Sequence, residues 1–529
     1  MGLMFDSWLW EAIAVLTVVF TVAYLYATRH FSYWAKRGVP YIKPLPFVGN
    51  VKDLFLLKFS LGGFCMDIYK KMPGKPYVGF FILDRPALVL RDPDLIKKVL
   101  VKDFNYFADR HVNSDVHVDP LGFSNLFVIK GQQWKYLRMK LSPTFTSGKM
   151  KKMFSLVADC DKQMVDHLEE LTNKDPTSTL DIKEIAAKCT TDVISTCAFG
   201  ITSNSLQNPN AEFREFGKKT FEDNPVRALE WAVLFFVPSL VKLAKLHFFQ
   251  KDASNFLRKV FWDTIDQREK SKIKRNDLVD LLIELKNKGS IEVEEKDKAE
   301  VEHYDHDASM VRKFDFSGDD LVAQAAIFFV AGFETSAGTM SFALYELALQ
   351  PKLQERLRKE ITDALKDNDG HITYEMVFGL KYLDMVISET LRKYPTLPFL
   401  DRVCLKNYHI PETGLTIEKG TPIFIPLHGL QKDPQYYPNP ERFDPERFNE
   451  EGKRTRVPFT YMPFGEGPHN CIGMRFGLMS AKTGLVHILT KFVVEASEDT
   501  PIPLPISTRG VVMIPKVGVP LRFRKSPLL

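Results

Sequence analysis

The 529-residue chain is predicted to be mainly α with small β-sheets (α+β), a single large fold preceded by an N-terminal transmembrane helix. Three observations carry this. Apolar periodicity is helical across most of residues 93–400. Strand-like runs are few and short. A long apolar stretch, Trp8 to Ala27, stands ahead of everything else.

That stretch has about the twenty residues needed to cross a bilayer and is interrupted only by Glu11. Arg29, His30, Lys36 and Arg37 follow it, whereas Asp6 and Glu11 lie at its front. Basic residues stay on the cytosolic side, so the bulk of the chain is expected in the cytosol behind a short luminal N-terminus. A cleaved signal peptide fits less well: the run is long, its charges lie on the wrong side, and no small-x-small site ends it. Residues 1–30 thus read as an anchor. Residues 31–50 read as a linker stiffened by Pro40, Pro44 and Pro46, and 51–529 as the main domain.

In that domain, strands are expected at Tyr77–Leu83 and Ala87–Leu90, then at Leu415–Ile417, Ile423–Pro426 and Val511–Ile514. Residues 286–319 are dense in Lys, Glu, Asp and His and read as a solvated connection. Trp231–Phe249 mixes Phe doublets with Pro238, Lys242, Lys245 and His247, a pattern that suits an interfacial segment or a core helix pair.

The 45% apolar content and 41 phenylalanines can furnish a large core. A formal charge of +5 is small for this length and argues against a nucleic-acid coat. Six cysteines show no Cys-x-x-Cys pairing, which fits a reducing compartment.

One of them, Cys471, ends the loop Phe464-Gly465-Glu466-Gly467-Pro468-His469-Asn470-Cys471-Ile472-Gly473, ahead of a helical run. Unpaired N–H groups and the positive helix end favour a thiolate there. Gly467 and Gly473 would let the backbone approach a flat cofactor. A lone thiolate so presented suits the axial ligand of a haem iron. An inert buried cysteine is the competing reading of Cys-x-Gly alone.

Other motifs precede the loop. Asp319–Leu349 reads as one long helix stopped by Pro351, with Ala331-Gly332-Phe333-Glu334-Thr335 at its middle. The Thr335 hydroxyl can bond a carbonyl of its own helix and open a groove. Glu389 and Arg392 share a helix face at i and i+3, and Phe443-Asp444-Pro445-Glu446-Arg447-Phe448 follows. Trp134 and Arg138 share a face at i and i+4.

Taken together, Phe-x-x-Gly-x-x-x-Cys-x-Gly and these motifs, in this order, resemble the cytochrome P-450 superfamily over nearly the whole chain. The resemblance implies haem b with Cys471 as the metal ligand. It implies Trp134, Arg138, Ala331, Arg402, Phe464, His469 and Gly473 as cofactor-binding residues, and Thr335 and Glu334 as the catalytic pair that manages protons. Glu389, Arg392 and Arg447 would form a buried structural network. Many relatives carry Arg where this chain has His469, whose charge is expected to titrate near neutrality. Residues Phe107–Phe127, Phe328, Phe329, Thr396–Leu400 and Ser507–Val512 would wall an apolar substrate pocket, with 231–249 touching the membrane near its entrance.

No Gly-x-Gly-x-x-Gly follows a strand, so electrons must come from a partner. The resemblance names NADPH-cytochrome reductase, with cytochrome b5 as an optional second donor. Lys135, Lys140, Lys149, Lys151, Lys152, Lys453, Arg454 and Arg456 are candidates for its docking face. Ala331-Gly332-Phe333-Glu334-Thr335-Ser336 and Leu141-Ser142-Pro143-Thr144-Phe145 look most like the microsomal enzymes of insects that oxidise plant toxins and insecticides. Such a protein would use O2 on small hydrophobic compounds at the endoplasmic reticulum membrane, facing the cytosol. Oxidation of an endogenous lipid or hormone is the alternative within the fold. A reductase-independent isomerase or dehydratase is disfavoured by Thr335, and a haem carrier would not need the proton-handling helix.

Overall fold

The computed structural model describes residues 8–112, 115–208, 210–275, 277–289 and 316–528. Helix α1 (Trp8–Thr28) has no buried residue. With mean hydropathy 1.8 it is long and apolar enough to cross a membrane. Its Thr17, Thr21 and Thr28 hydroxyls each donate to the carbonyl four residues back, so these three polar groups are satisfied within the helix.

The stretch after α1 packs on the main sheet. Trp34 is fully buried, its indole N–H bonds the Phe80 carbonyl at 3.1 Å, and Gly79 leaves room for the ring. Phe47 lies against Phe20 and Tyr24 of α1.

That sheet has the order β1-β2-β7-β4: β1 (Tyr77–Ile82), β2 (Arg85–Leu90), β4 (Leu400–Val403) and β7 (Pro422–Ile425). A second sheet joins β3 (Thr179–Asp181), β9 (Pro520–Lys525) and β8 (Phe492–Ala496), and β5 (Tyr408–Ile410) pairs with β6 (Leu415–Ile417). The strand expected at Val511–Ile514 is absent: those residues form an irregular turn beside the isolated bridge Ile506–Pro515. The C-terminal strand pairing falls later, on β9.

The helical body centres on four mutually packed helices. These are α2 (Ser147–Lys174), α3 (Ile182–Ile194), α4 (Gly318–Leu349) and α5 (Met474–Lys491). Helix α4 is apolar on nearly every side because α3, α5 and Lys381–Lys393 enclose it. Of the charged stretch at 286–319, residues 290–315 lie outside the described residues; 286–288 end the helix Leu278–Lys288.

The segment 231–249 follows the core reading for its aromatic residues. Trp231, Phe235, Phe236, Phe248 and Phe249 are buried, whereas Leu240 and Leu243 face outward. The aromatic doublets therefore belong to the interior, and only the aliphatic side chains present an apolar outer face.

Candidate active site

The loop before α5 holds Cys471 by its backbone: its N–H bonds the Phe464 carbonyl at 2.7 Å. The sulfur opens onto a cavity deep within the protein. Burial raises the thiol's pKa, opposed by the Gly473 N–H and by the Arg138 and Arg110 guanidiniums. The Gly473 N–H and the two guanidiniums thus act in the direction expected from the sequence, and a metal cation at the sulfur would favour the thiolate further. The two glycines serve different purposes. A Cβ on Gly467 (φ +72°) would lie 2.1 Å from the Leu100 carbonyl, so Gly467 fits the loop against a neighbouring helix rather than a cofactor. Gly473 faces the cavity, with nothing nearer its missing Cβ than Phe145 at 3.9 Å.

Beside Cys471 lie Trp134 and Arg138, on the helix Gly131–Leu141, with Arg110 and, behind them, Arg402 on β4. Arg138 donates to the Asn470 carbonyl at 2.9 Å and to its side-chain oxygen at 2.6 Å, tying that helix to the loop. Arg402 is wholly buried: Nη1 bonds the Asp401 carbonyl at 2.7 Å, while Nε has no acceptor among the described residues. Burial, reinforced by Arg110, lowers its pKa to about 9. Arg110 likewise keeps Nε and Nη1 without hydrogen-bond partners, with the Asp401 carboxylate 3.6 Å from Nη1. Buried cations with open N–H groups require an anion. The cluster therefore fits a group bearing carboxylates at one edge, as haem does with its two propionates.

His469 differs from expectation. Burial first, then Arg402 and Arg110, push its pKa well below the usual histidine value, so the ring is neutral rather than titrating near pH 7. Its Nε2 lies 2.5 Å from the Ala108 carbonyl, which can only accept, so Nε2 carries the proton.

Above the loop runs α4. The Thr335 hydroxyl donates to the Ala331 carbonyl at 2.6 Å, as the motif predicts, and both residues line the cavity. The missing Cβ of Gly332 makes room for Ile194 of α3, whose Cδ1 lies 2.7 Å from where that Cβ would stand, so Gly332 serves helix packing while its backbone borders the cavity. Glu334 points off the cavity into a buried pair with Lys183 of α3 at 2.5 Å.

The cavity, about 340 Å³, is closed mainly by apolar side chains. Phe127, Phe328, Thr396, Leu397, Leu400, Val511 and Val512 line it as expected, joined by Trp231, Phe235 and Phe248. Phe107 and Phe329 do not. Phe107 packs on Tyr408 in the sheet's core, and Phe329 turns toward Phe199 and Phe213.

Glu389 and Arg392 are fully buried and doubly bonded at 2.7 and 2.9 Å; Arg447 approaches Glu389 at 3.5 Å. Arg392 also donates to the carbonyls of Gln431 and Pro440, pinning the segment ahead of the loop. Of the basic residues proposed for docking, Lys135, Lys151, Lys152, Lys453 and Arg454 are exposed, Lys151 in an ion pair with Glu375. Arg456 instead lies over the rings of Phe448 and Tyr461.

Arg110, Asp401 and Lys183 were not identified from sequence. Arg110 follows Phe107 in a loop without periodicity, and Asp401 adjoins Arg402 on a strand whose pairing is not apparent from local pattern.

An α-rich fold with a cysteine loop, a threonine groove and a cationic edge around one apolar cavity defines a haem-thiolate class of protein. The cytochrome P450 family model matches residues 39–521. The chain is 56% identical to cytochrome P450 6k1 of Blattella germanica, over 98% of this chain and 97% of that one. It is 41% identical to the probable cytochrome P450 6g2 of Drosophila melanogaster, over 96% and 97%, and 41% identical to cytochrome P450 9e2 of Blattella germanica. The chain belongs to the cytochrome P450 family and is a P450 monooxygenase, a family that implies haem on a cysteine thiolate.

Proposed function

We propose that the protein is a microsomal monooxygenase of hydrophobic organic compounds, probing foreign molecules such as plant toxins or insecticides. Residues 1–30 would anchor it in the endoplasmic reticulum membrane, 31–50 link it, and 51–529 work in the cytosol. The observation that carries the reading is the apolar cavity bounded at once by Cys471, Thr335, Arg110 and Arg138. The reaction inserts one atom of O2 into a C–H bond and reduces the other to water, consuming NADPH and a proton.

Cys471 would ligate the iron of haem b, with Arg110, Arg138, Arg402 and Trp134 holding its carboxylates. When bound, haem b supplies the redox-active iron that O2 activation requires. The chain's own residues do the rest. Phe127, Phe235, Phe248 and Phe328 exclude water and press the substrate toward the Cys471 side. Thr335 Oγ1 holds a proton at the groove, and Glu334, paired with Lys183, connects it toward the surface. Lys135, Lys152, Lys453 and Arg454 would meet an acidic reductase, with cytochrome b5 as an alternative donor.

Oxidation of an endogenous lipid or hormone is a second reading, favoured by the same apolar lining. NADPH consumption with a reductase and a panel of compounds tests the proposal. Substrate-dependent turnover of foreign apolar compounds is expected; none at all would overturn it.

A further inference from the structure

Phe248 lies in neither helix nor strand, yet buried charges hold both its backbone polar groups. Its N–H donates to Asp119 Oδ2 at 2.9 Å, and its carbonyl accepts from Arg227 Nη2. Asp119 also accepts from the Phe249 N–H at 3.4 Å and from the Gly122 N–H at 2.9 Å. Arg227 reaches the His247 carbonyl at 3.0 Å and Glu230 at 2.8 Å. Both side chains are 2% exposed.

The two charges also bear on what faces the cavity. Arg227 lies over the Trp231 ring at 4.2 Å, and Trp231 meets Phe248 edge-on at 5.1 Å and 88°. Both rings line the cavity. Gly122 allows the knot to close, since a Cβ there would lie 2.7 Å from the Phe248 Cβ.

We infer that Asp119 and Arg227 are positioning residues that set substrate selectivity by fixing the Phe248 and Trp231 rings over the cavity. The inference rests on the cavity being the substrate site of the proposed monooxygenase. Charge-assisted bonds to backbone in a dry interior are stronger and more directional than ring contacts, so these bonds, not the rings, dictate the roof's position. Loosening the knot should leave the haem site intact and admit bulkier molecules.

The test uses the haem-loaded full chain and two probes, a slim n-alkylimidazole and a bulky diphenyl-substituted imidazole, read by the haem spectral shift. In R227Q and D119N the ratio of their dissociation constants should move on the order of tenfold toward the bulky probe, the scale at which pockets discriminate size. The thiolate CO band should persist. R227K keeps the charge beside Glu230 but not the forked donor, and should move the ratio the same way by less. If R227Q does not retain haem, D119N and R227K decide. An unchanged ratio with the CO band retained overturns the inference alone. A wild-type protein with the CO band but no response to either probe would overturn the substrate-cavity reading beneath it.

Discussion

The indole of Trp134 and the imidazole of His469 lie with centroids 3.7 Å apart and planes tilted by 34°, and the same imidazole donates to the Ala108 carbonyl. His469 is thus a neutral spacer between the Trp134 helix and residue 108, in a place where buried cations already crowd. An arginine would add one more charge beside Arg110 and Arg402 and lose both contacts. His469→Arg should keep the thiolate CO band, yet lower apoprotein stability by about 1–3 kcal/mol, the cost of a lost buried partner. Chemical denaturation of the apoprotein checks this; equal or greater stability would refute the spacer role.

His111 gives a pH prediction. Burial lowers its pKa to about 4 from the ordinary 6.5, and the ring meets Phe424 edge-on. The folded state holds it neutral, whereas the unfolded chain takes up a proton below about pH 6.5. Its contribution is therefore present above that pH and is lost as the solution is acidified toward pH 4. About 2 kcal/mol should disappear between pH 7 and pH 5 on this account. His111→Phe should flatten that stretch of the stability curve; an unchanged slope would assign the acid loss elsewhere, for example to His428, which burial lowers to about 3.

Much of this site was legible because its parts sit in local patterns. Trp134 and Arg138 meet through helix spacing, and Thr335 bonds Ala331 through the i−4 geometry of one helix. What was not legible depends on distant segments. Asp401 meets residues 110 to 112 through the loop beside β4, donating nothing to any sequence period. Phe329 and Phe328 are neighbours on one helix, yet one full step of about 100° sends them to different faces. That Ile194 packs where a side chain of Gly332 would stand is likewise a meeting of two distant segments.

The Glu389–Arg392 pair should behave as an obligate unit. Glu389→Gln strips the carboxylate from a guanidinium with no solvent access. Leaving that charge uncompensated costs about 3–5 kcal/mol. The folded holoprotein should fall sharply in yield and thermal midpoint, with Arg392→Lys nearly as damaging because a lysine cannot serve the Gln431 and Pro440 carbonyls together. A near-native midpoint in either variant would mean that the network is dispensable.

Cys471→Ala removes the cysteine that borders the cavity from the glycine loop. Cys197 also borders the cavity, but burial raises its thiol to about 12, which suits an inert side chain. The variant should lose the red-shifted band of the reduced CO complex completely. Retention of that band would move the ligand to another residue.

Thr335→Ala separates proton handling from structure. The Thr335 hydroxyl donates to the Ala331 carbonyl, which already serves the helix ladder, so its loss should leave α4 and the thiolate band unchanged. What disappears is the hydroxyl at the groove. NADPH should still be consumed, but product per NADPH should fall by up to about a hundredfold, the lower end of what positioned proton donors contribute, with peroxide rising in its place. Thr335→Ser restores the hydroxyl and should recover most of the coupling. Glu334→Gln leaves Lys183 without its carboxylate and should slow turnover without the same rise in peroxide. Equal coupling in wild type and Thr335→Ala would place the proton route elsewhere on the cavity wall, with buried Ser336, whose hydroxyl has no partner among the described residues, next in line.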